Sequence, residues 1–208
     1  MKIKRSFIFI LSFSIPWTIL CLSGCASLQR SAKFNAGDFI KSQENKIGNS
    51  SQILLAVDNH FLFFNRTTLY AMGKHGDHWK NVFEPMDAVI GRSGFAPFGE
   101  KREGDGQTPS GIYPLKTAFG YNETVKTKMP YRQALADDVW IDDPDAPDYN
   151  RWVKKDETKA ASHEMMKRGD DLYKYGVVIE YNTGPVIKGN GSAIFLHVWK
   201  CPGLPTAG

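Results

Sequence analysis

Residues Gly191–Gly208 read GSAIFLHVWKCPGLPTAG. An apolar run, Ala193-Ile194-Phe195-Leu196, delivers one histidine, His197, and a Pro- and Gly-rich bend then leads to Thr206-Ala207-Gly208. A strand that runs into a tight loop suits a catalytic base and its nucleophile, because the strand fixes the first and the loop exposes the second. Only the base is in place. Cys201 lies four residues beyond His197, about 13 Å along an extended strand against the roughly 3 Å of a thiol–imidazole hydrogen bond. A sharp reversal at Lys200-Cys201-Pro202-Gly203 is the one way to bring it back. Ser93, in Gly91-Arg92-Ser93-Gly94, lacks the full Gly-x-Ser-x-Gly elbow.

Working toward the N-terminus, "YGVVIEYN" over Tyr175–Asn182 alternates and reads as the strand before the histidine. Further upstream, Ile53-Leu54-Leu55-Ala56-Val57, Phe61–Phe64, Thr67–Met72, Trp79–Phe83 and Ala88-Val89-Ile90 are short apolar runs separated by Gly, Asp and Asn. That spacing predicts a mostly β domain, a sandwich or barrel. One or two short helices are expected, one of them over Lys154–Arg168, which is rich in Ala, Glu, Lys and Met. Lys128–Trp140 reads as a short helix or a loop.

Several familiar sites are excluded by spacing. "EGDGQTPSGIYPL" at Glu103–Leu115 holds three glycines and two prolines, a tight bend into an extended segment, without the Lys-Ser/Thr ending of a P-loop. The acidic run Asp142–Asp148 lacks the EF-hand spacing and its closing glutamate, so it reads as a solvated loop. His163-Glu164 resembles the start of a zincin helix, yet residue 167 is Lys where a second histidine is required. His75 and His78 sit in a Gly-containing turn and read as exposed polar residues. No metal site is predicted.

The net charge of +4 invites a nucleic-acid partner, but the charge is unevenly placed. Of the 26 Lys and Arg, Lys2, Lys4 and Arg5 lie in the first 24 residues, which hold no acid, so the rest carries 23 against 22 Asp and Glu. The body is nearly neutral, and nucleic-acid binding is not expected. Met1–Arg5 is basic, and Ser6–Leu22 is apolar but interrupted by Pro16, too short and irregular for a spanning helix. It ends in Leu22-Ser23-Gly24-Cys25, a pattern that resembles a bacterial lipobox, whose cysteine becomes a lipidated N-terminus. Residues 1–24 are therefore read as a lipoprotein signal peptide, polar residues 25–50 as a tether, and 51–208 as the globular domain. With Cys21 in the leader and Cys25 lipidated, Cys201 is the remaining thiol, and no intrachain disulfide is expected.

Over 53–208 the segments "VIGRSGF", "EGDGQTPSGIYPL", "DDVWIDDPDAPDYNRWV", "LYKYGVVIEYN", "GSAIFLHVW" and "PTAG" follow one another in an order that resembles the L,D-transpeptidase (YkuD-like) catalytic-domain family. The resemblance implies that fold, incomplete at the C-terminus, for residues 51–208. In that family an upstream histidine serves a cysteine that follows Ser/Thr-x-Gly. Residue by residue, His197 matches the histidine, Thr206 the Ser/Thr and Gly208 the glycine, and the cysteine would come next. In the segments similar to the family's turn and strand beside the cleft, Arg92 and Asp105 are the candidates to face substrate. Ala207 stands where a second histidine is common.

What the resemblance implies is acyl transfer on peptidoglycan stem peptides by a Cys-His pair, without metal or organic cofactor, in the bacterial envelope. Ala26 after the lipobox cysteine is similar to sequences sorted to the outer membrane, with the domain facing the periplasm. Two readings stand: an enzyme whose nucleophile lies beyond Gly208, or a non-catalytic lipoprotein that binds peptidoglycan in the same cleft.

Overall fold

Every residue of Ile53-Leu54-Leu55-Ala56-Val57 is apolar, and a strand with that pattern needs cover on both faces. It has such cover. The computed structural model of the chain describes residues 6–12, 34–61 and 64–208. Ile53, Leu55 and Val57 pack with Met72 and Trp79 against two short helices, while Leu54 and Ala56 turn to the other face and join Leu115, Ile179 and Ile194. The period of two along a strand thus sorts one apolar run into two cores.

In chain order the elements are β1 (Ser6–Ser12), α1 (Ala36–Ser42), α2 (Glu44–Ile47), β2 (Gln52–Phe61), β3 (Phe64–His75), β4 (His78–Asn81), β5 (Met86–Ala88), β6 (Phe95–Ala96) and β7 (Thr108–Pro109). They continue with β8 (Gly111–Gly120), β9 (Tyr131–Gln133), β10 (Asp138–Ile141), β11 (Trp152–Lys154), β12 (His163–Met165), β13 (Tyr175–Ile179) and β14 (Phe195–His197). The main sheet has the order β14-β13-β8-β1-β2-β3-β4, with β5 added on β3 and β9 on β8. Beside it stand a three-stranded sheet, β11-β10-β12, and the small pair β6-β7. The mostly β expectation holds, but the main sheet runs open from β14 to β4, so the barrel alternative is corrected. The β4 end is covered rather than closed. Gly37 of α1 packs so near the Trp79 carbonyl oxygen that a Cβ would lie 2.7 Å from it. A helix laid over a strand edge protects the unpaired backbone there without closing the sheet.

The tether reading of 25–50 is corrected over residues 34–50. Asn35 caps α1 by accepting the Gly37 and Asp38 N–H groups. Ala36, Ile40 and Ile47 are buried among β2–β4 residues, and Glu44 Oε1 accepts from Lys74 Nζ at 2.8 Å and Trp79 Nε1 at 3.2 Å. The few apolar residues fall four and seven apart, on one helical face, which an average over polar composition conceals.

The helix expected over Lys154–Arg168 is also corrected: this stretch forms the end of β11, a 3-10 turn and β12. Val139 pairs with Met165 and Trp140 with Glu164, and Met166 is fully buried. Burying Met166 fully and Met165 in part against β10 outweighs the few tenths of a kcal/mol per residue that helix propensity supplies. Lys128–Trp140 becomes β9 and the start of β10, joined by a turn. Phe61 ends β2 and pairs with Phe64, the first residue of β3, and residues 62 and 63 of the run expected as a strand lie outside the described residues. The run Asp142–Asp148 is a turn, but not the solvated loop expected: Ala146 is buried against Val139 and Ile141, and Asp142 and Asp143 accept from Ser162 Oγ and the Ala161 N–H.

Ser6–Ser12, the apolar part of the expected leader, lies between β2 and β8, parallel to the first (Ser6 beside Gln52) and antiparallel to the second (Ser6 beside Leu115). Strands β2 and β8 are therefore antiparallel to each other, about two strand spacings or roughly 10 Å apart. Removal of residues 1–24 would leave two edges with the right orientation to pair directly. The lipobox Leu22–Cys25 lies outside the described residues.

Candidate functional site

His197 ends β14, the strand at one end of the main sheet, where Leu196 pairs with Val177 and His197 with Gly176. Phe119 sits directly over Gly176, and any Cβ there would collide with its ring. That ring begins an aromatic stack: Phe195 lies 5.3 Å from Phe119 and 5.7 Å from Tyr173, all edge to face, and Tyr173 in turn meets the His197 ring at 5.2 Å. Edge-to-face contacts of this kind fix ring orientation as well as bury area. His197 Nδ1 lies 2.8 Å from its neighbour's carbonyl oxygen, that of Val198. A carbonyl only accepts, so this contact places the proton on Nδ1 and leaves Nε2 as a lone-pair acceptor.

The approach to β14 is fixed by buried polar groups. Asn150 accepts from Trp140 Nε1 at 2.8 Å and from the Ala193 N–H at 3.2 Å, while its amide donates to the carbonyls of Tyr181 and Asn182. Ala193, at φ 53, holds the left-handed conformation that a residue with a Cβ seldom adopts. Ser192 Oγ donates to Glu103 Oε2 at 2.7 Å, and the Tyr149 hydroxyl donates to the same oxygen. Glu103 thereby ties the glycine-rich turn to the segment that carries the histidine.

The residues Thr206–Gly208 return to this place from the other side. Thr206 N–H donates to the Ile90 carbonyl at 2.9 Å, and Arg92 N–H donates to the Thr206 carbonyl at 3.0 Å, a parallel bridge centred on Gly91 and Thr206. Gly208, at φ 121, rests on the backbone of Gly106 and Gln107, where a Cβ would lie 2.6 Å from the Gln107 carbonyl oxygen. A glycine at 208 is therefore required by close approach as well as by its left-handed φ. His197 and Thr206–Gly208 line one open cleft of about 700 Å³.

No family model, curated protein or solved structure matches this chain.

Of the residues singled out from sequence, His197, Thr206, Gly208 and Arg92 line the cleft. Arg92 spends its guanidinium on the carbonyls of Ala207 and Gly104, at 3.4 and 3.5 Å, and so braces the terminal segment. Asp105 is placed elsewhere. Its carboxylate accepts from Lys101 Nζ at 2.7 Å, from Arg102 N–H at 2.7 Å and from Gln107 N–H at 2.8 Å. Burial pushes the Asp105 carboxyl up, but these donors outweigh it and hold it below the usual range. It is the anchor of the turn on which Gly208 rests. Cys201 is exposed and does not line the cleft, and Cys25 lies outside the described residues.

The structure adds residues that sequence reading passed over. Glu103, Glu164, Arg168 and Tyr173 line the same cleft. Burial raises the Tyr173 phenol above its ordinary value, so it stays neutral under the His197 ring. Glu164 stands in β12, beside the half-buried His163, in a stretch whose composition favours a helix and which carries no strand alternation to reveal it.

Proposed function

We propose that this chain carries the base half of a cysteine acyl-transfer site of the L,D-transpeptidase type, acting on peptidoglycan stem peptides, and that the nucleophile is a cysteine following Gly208. The observation that carries the reading is the convergence of His197 and Thr206–Gly208 in one cleft. The family resemblance supplies both motifs, and the packing of Gly208 accounts for the glycine that ends the second.

The chemistry follows from thiol acidity. A free thiol is mostly protonated at neutral pH, and a neutral imidazole with its lone pair on Nε2 takes that proton. The thiolate adds to the carbonyl that follows an L-configured centre, the C–N bond to the terminal D-alanine breaks, and His197 returns the proton to the departing amine. Backbone N–H groups of the terminal loop stabilise the oxyanion. An amine or water then breaks the thioester and restores the thiol. The chain's own contribution is to orient His197 through the Val198 carbonyl and the Tyr173 ring.

Intact-mass spectrometry tests this reading. A chain extended from Gly208 by Cys and the family's following residues is expected to gain the mass of a carbapenem or a stem-peptide acyl group, whereas residues 1–208 alone gain none. Absence of an adduct on the extended chain would sink the enzymatic reading and favour the binding-lipoprotein alternative. An adduct mapped to Cys201 would overturn the placement of the nucleophile.

We also propose anchorage by a lipid on Cys25, in the periplasm-facing leaflet of the outer membrane. Labelled palmitate is expected to enter the full chain and not Cys25→Ala; equal labelling of the two would remove the anchor.

A further inference from the structure

Glu164 is a carboxylate with unspent capacity at the base. It lines the cleft with His197, and its side chain is 35 % exposed. Its strand is coupled to that of the histidine: Glu164 pairs with Trp140 of β10, and the Trp140 ring meets Phe195 of β14 at 5.0 Å. Oε2 receives Arg168 Nη1 at 3.5 Å, at the limit for a hydrogen bond, because that guanidinium is already committed through Nε and Nη2 to Asp170 at 3.0 and 3.1 Å. Oε1 has no hydrogen-bond partner among the described residues, and it is not among the enclosed unpartnered atoms, so it remains accessible. Arg168 also lies over the Tyr173 ring, 5.2 Å from its centroid. Tyr173 is thus touched by the His197 ring and by Arg168, whose Nη1 reaches Glu164.

We propose that Glu164 holds the acceptor of the second half-reaction, a primary amine, by taking its ammonium group at Oε1 beside His197 and receiving the proton that the amine must lose. This inference rests on the acyl-transfer reading. A protonated amine adds the attraction of opposite charges to its hydrogen bond with the carboxylate, which water, a neutral donor, lacks, so the site favours amine over water. Burial pushes the Glu164 carboxyl up against the pull of Arg168, and Asp142 adds to the rise, which narrows the gap to the ammonium it must deprotonate. In the step itself one proton passes from nitrogen to Glu164. The nitrogen lone pair forms the C–N bond at the thioester carbonyl, the C–S bond breaks, and the second nitrogen proton passes through His197 to the leaving thiolate.

The test separates the two half-reactions in the cysteine-bearing chain, with a tetrapeptide stem as donor and glycinamide as the amine. Mass spectrometry follows acyl-enzyme formation and the ratio of amide to hydrolysed product. Glu164→Gln is expected to lower that ratio by about 10- to 100-fold and to slow amine transfer more than acylation. Glu164→Asp, which keeps the charge on a shorter side chain, is expected to fall between the two and serves as the second variant should Glu164→Gln melt early. An unchanged product ratio in both variants overturns the proposal, as does an equal loss in both half-reactions, which would make Glu164 a support for His197. Failure of the parent chain to acylate overturns the acyl-transfer reading itself.

Discussion

His197→Ala, made in the chain that carries a cysteine after Gly208, is expected to slow carbapenem acylation by about 10³-fold or more while leaving the fold intact. General-base contributions run to about 10²–10⁴-fold, and a thiol paired with a base loses its thiolate fraction as well when that base is removed. His197 is half-buried at the end of a three-residue strand. Its ring contributes an edge contact to Tyr173 but no bond to a distant backbone group, so truncation removes little that holds β14 in place. The acylation rate followed by intact mass, set beside the melting temperature, separates the two effects. Acylation within about tenfold of the parent at an unchanged melting temperature would mean that another group takes the thiol proton. Partial recovery of the rate on adding free imidazole, with no change in melting temperature, is the companion result that a base role requires and a packing role does not.

How far the molecule was legible in its sequence depends on what each signal averages over. Ile53–Val57 was legible as a strand because an unbroken apolar run between turn formers has few alternatives, and Tyr175–Ile179 because its alternation is local. The place of His197 at the end of a strand was legible because an apolar run that delivers a polar residue to a glycine-rich bend is a local pattern too. Residues 36–47 were hidden because Ala36, Ile40 and Ile47 are the few buried residues in a polar stretch, and only their spacing betrays a face. Lys154–Arg168 misled in the opposite direction. Its composition favours a helix, and nothing local reports that β10 stands ready to pair with Met165.

Asp105 was singled out by its place in a glycine-rich turn near the cleft, yet such a turn needs its own acceptor for the Arg102 and Gln107 N–H groups, and the carboxylate is spent there. Glu103, two residues away, was missed because its partners Tyr149 and Ser192 lie 46 and 89 residues distant. The bridge between Gly91 and Thr206 spans a still longer separation, and no reading of either segment alone reveals it.

That bridge makes Gly91 the second position where a small change should have a large effect. A Cβ on residue 91 would collide with the Gly106 carbonyl oxygen, and it would lie 2.8 Å from the Gly208 Cα and 3.0 Å from the Gln107 carbonyl carbon. All three are backbone atoms, so no side chain can rotate away to make room, and one of the two segments must move. The glycine-rich turn is held by the bonds of Asp105 to Lys101, Arg102 and Gln107, and by Ser93 N–H donating to the Gly106 carbonyl at 2.9 Å. Thr206–Gly208 is held by two backbone bonds and the long contact from Arg92. The terminal segment is the weaker partner and is expected to yield. Displacing it by about 1 Å carries the following residue, the proposed nucleophile, out of reach of His197, and a misplacement of that size costs on the order of 10²-fold in rate. Gly91→Ala in the cysteine-bearing chain is therefore expected to acylate about 10²- to 10³-fold more slowly, with a melting temperature lowered by only a few degrees because the buried clusters around β2 and β8 are untouched. A full rate at parental stability would show that the terminal segment does not need its bridge to Gly91 to present the nucleophile. A collapse in melting temperature would instead make the turn, and not Thr206–Gly208, the segment that moves.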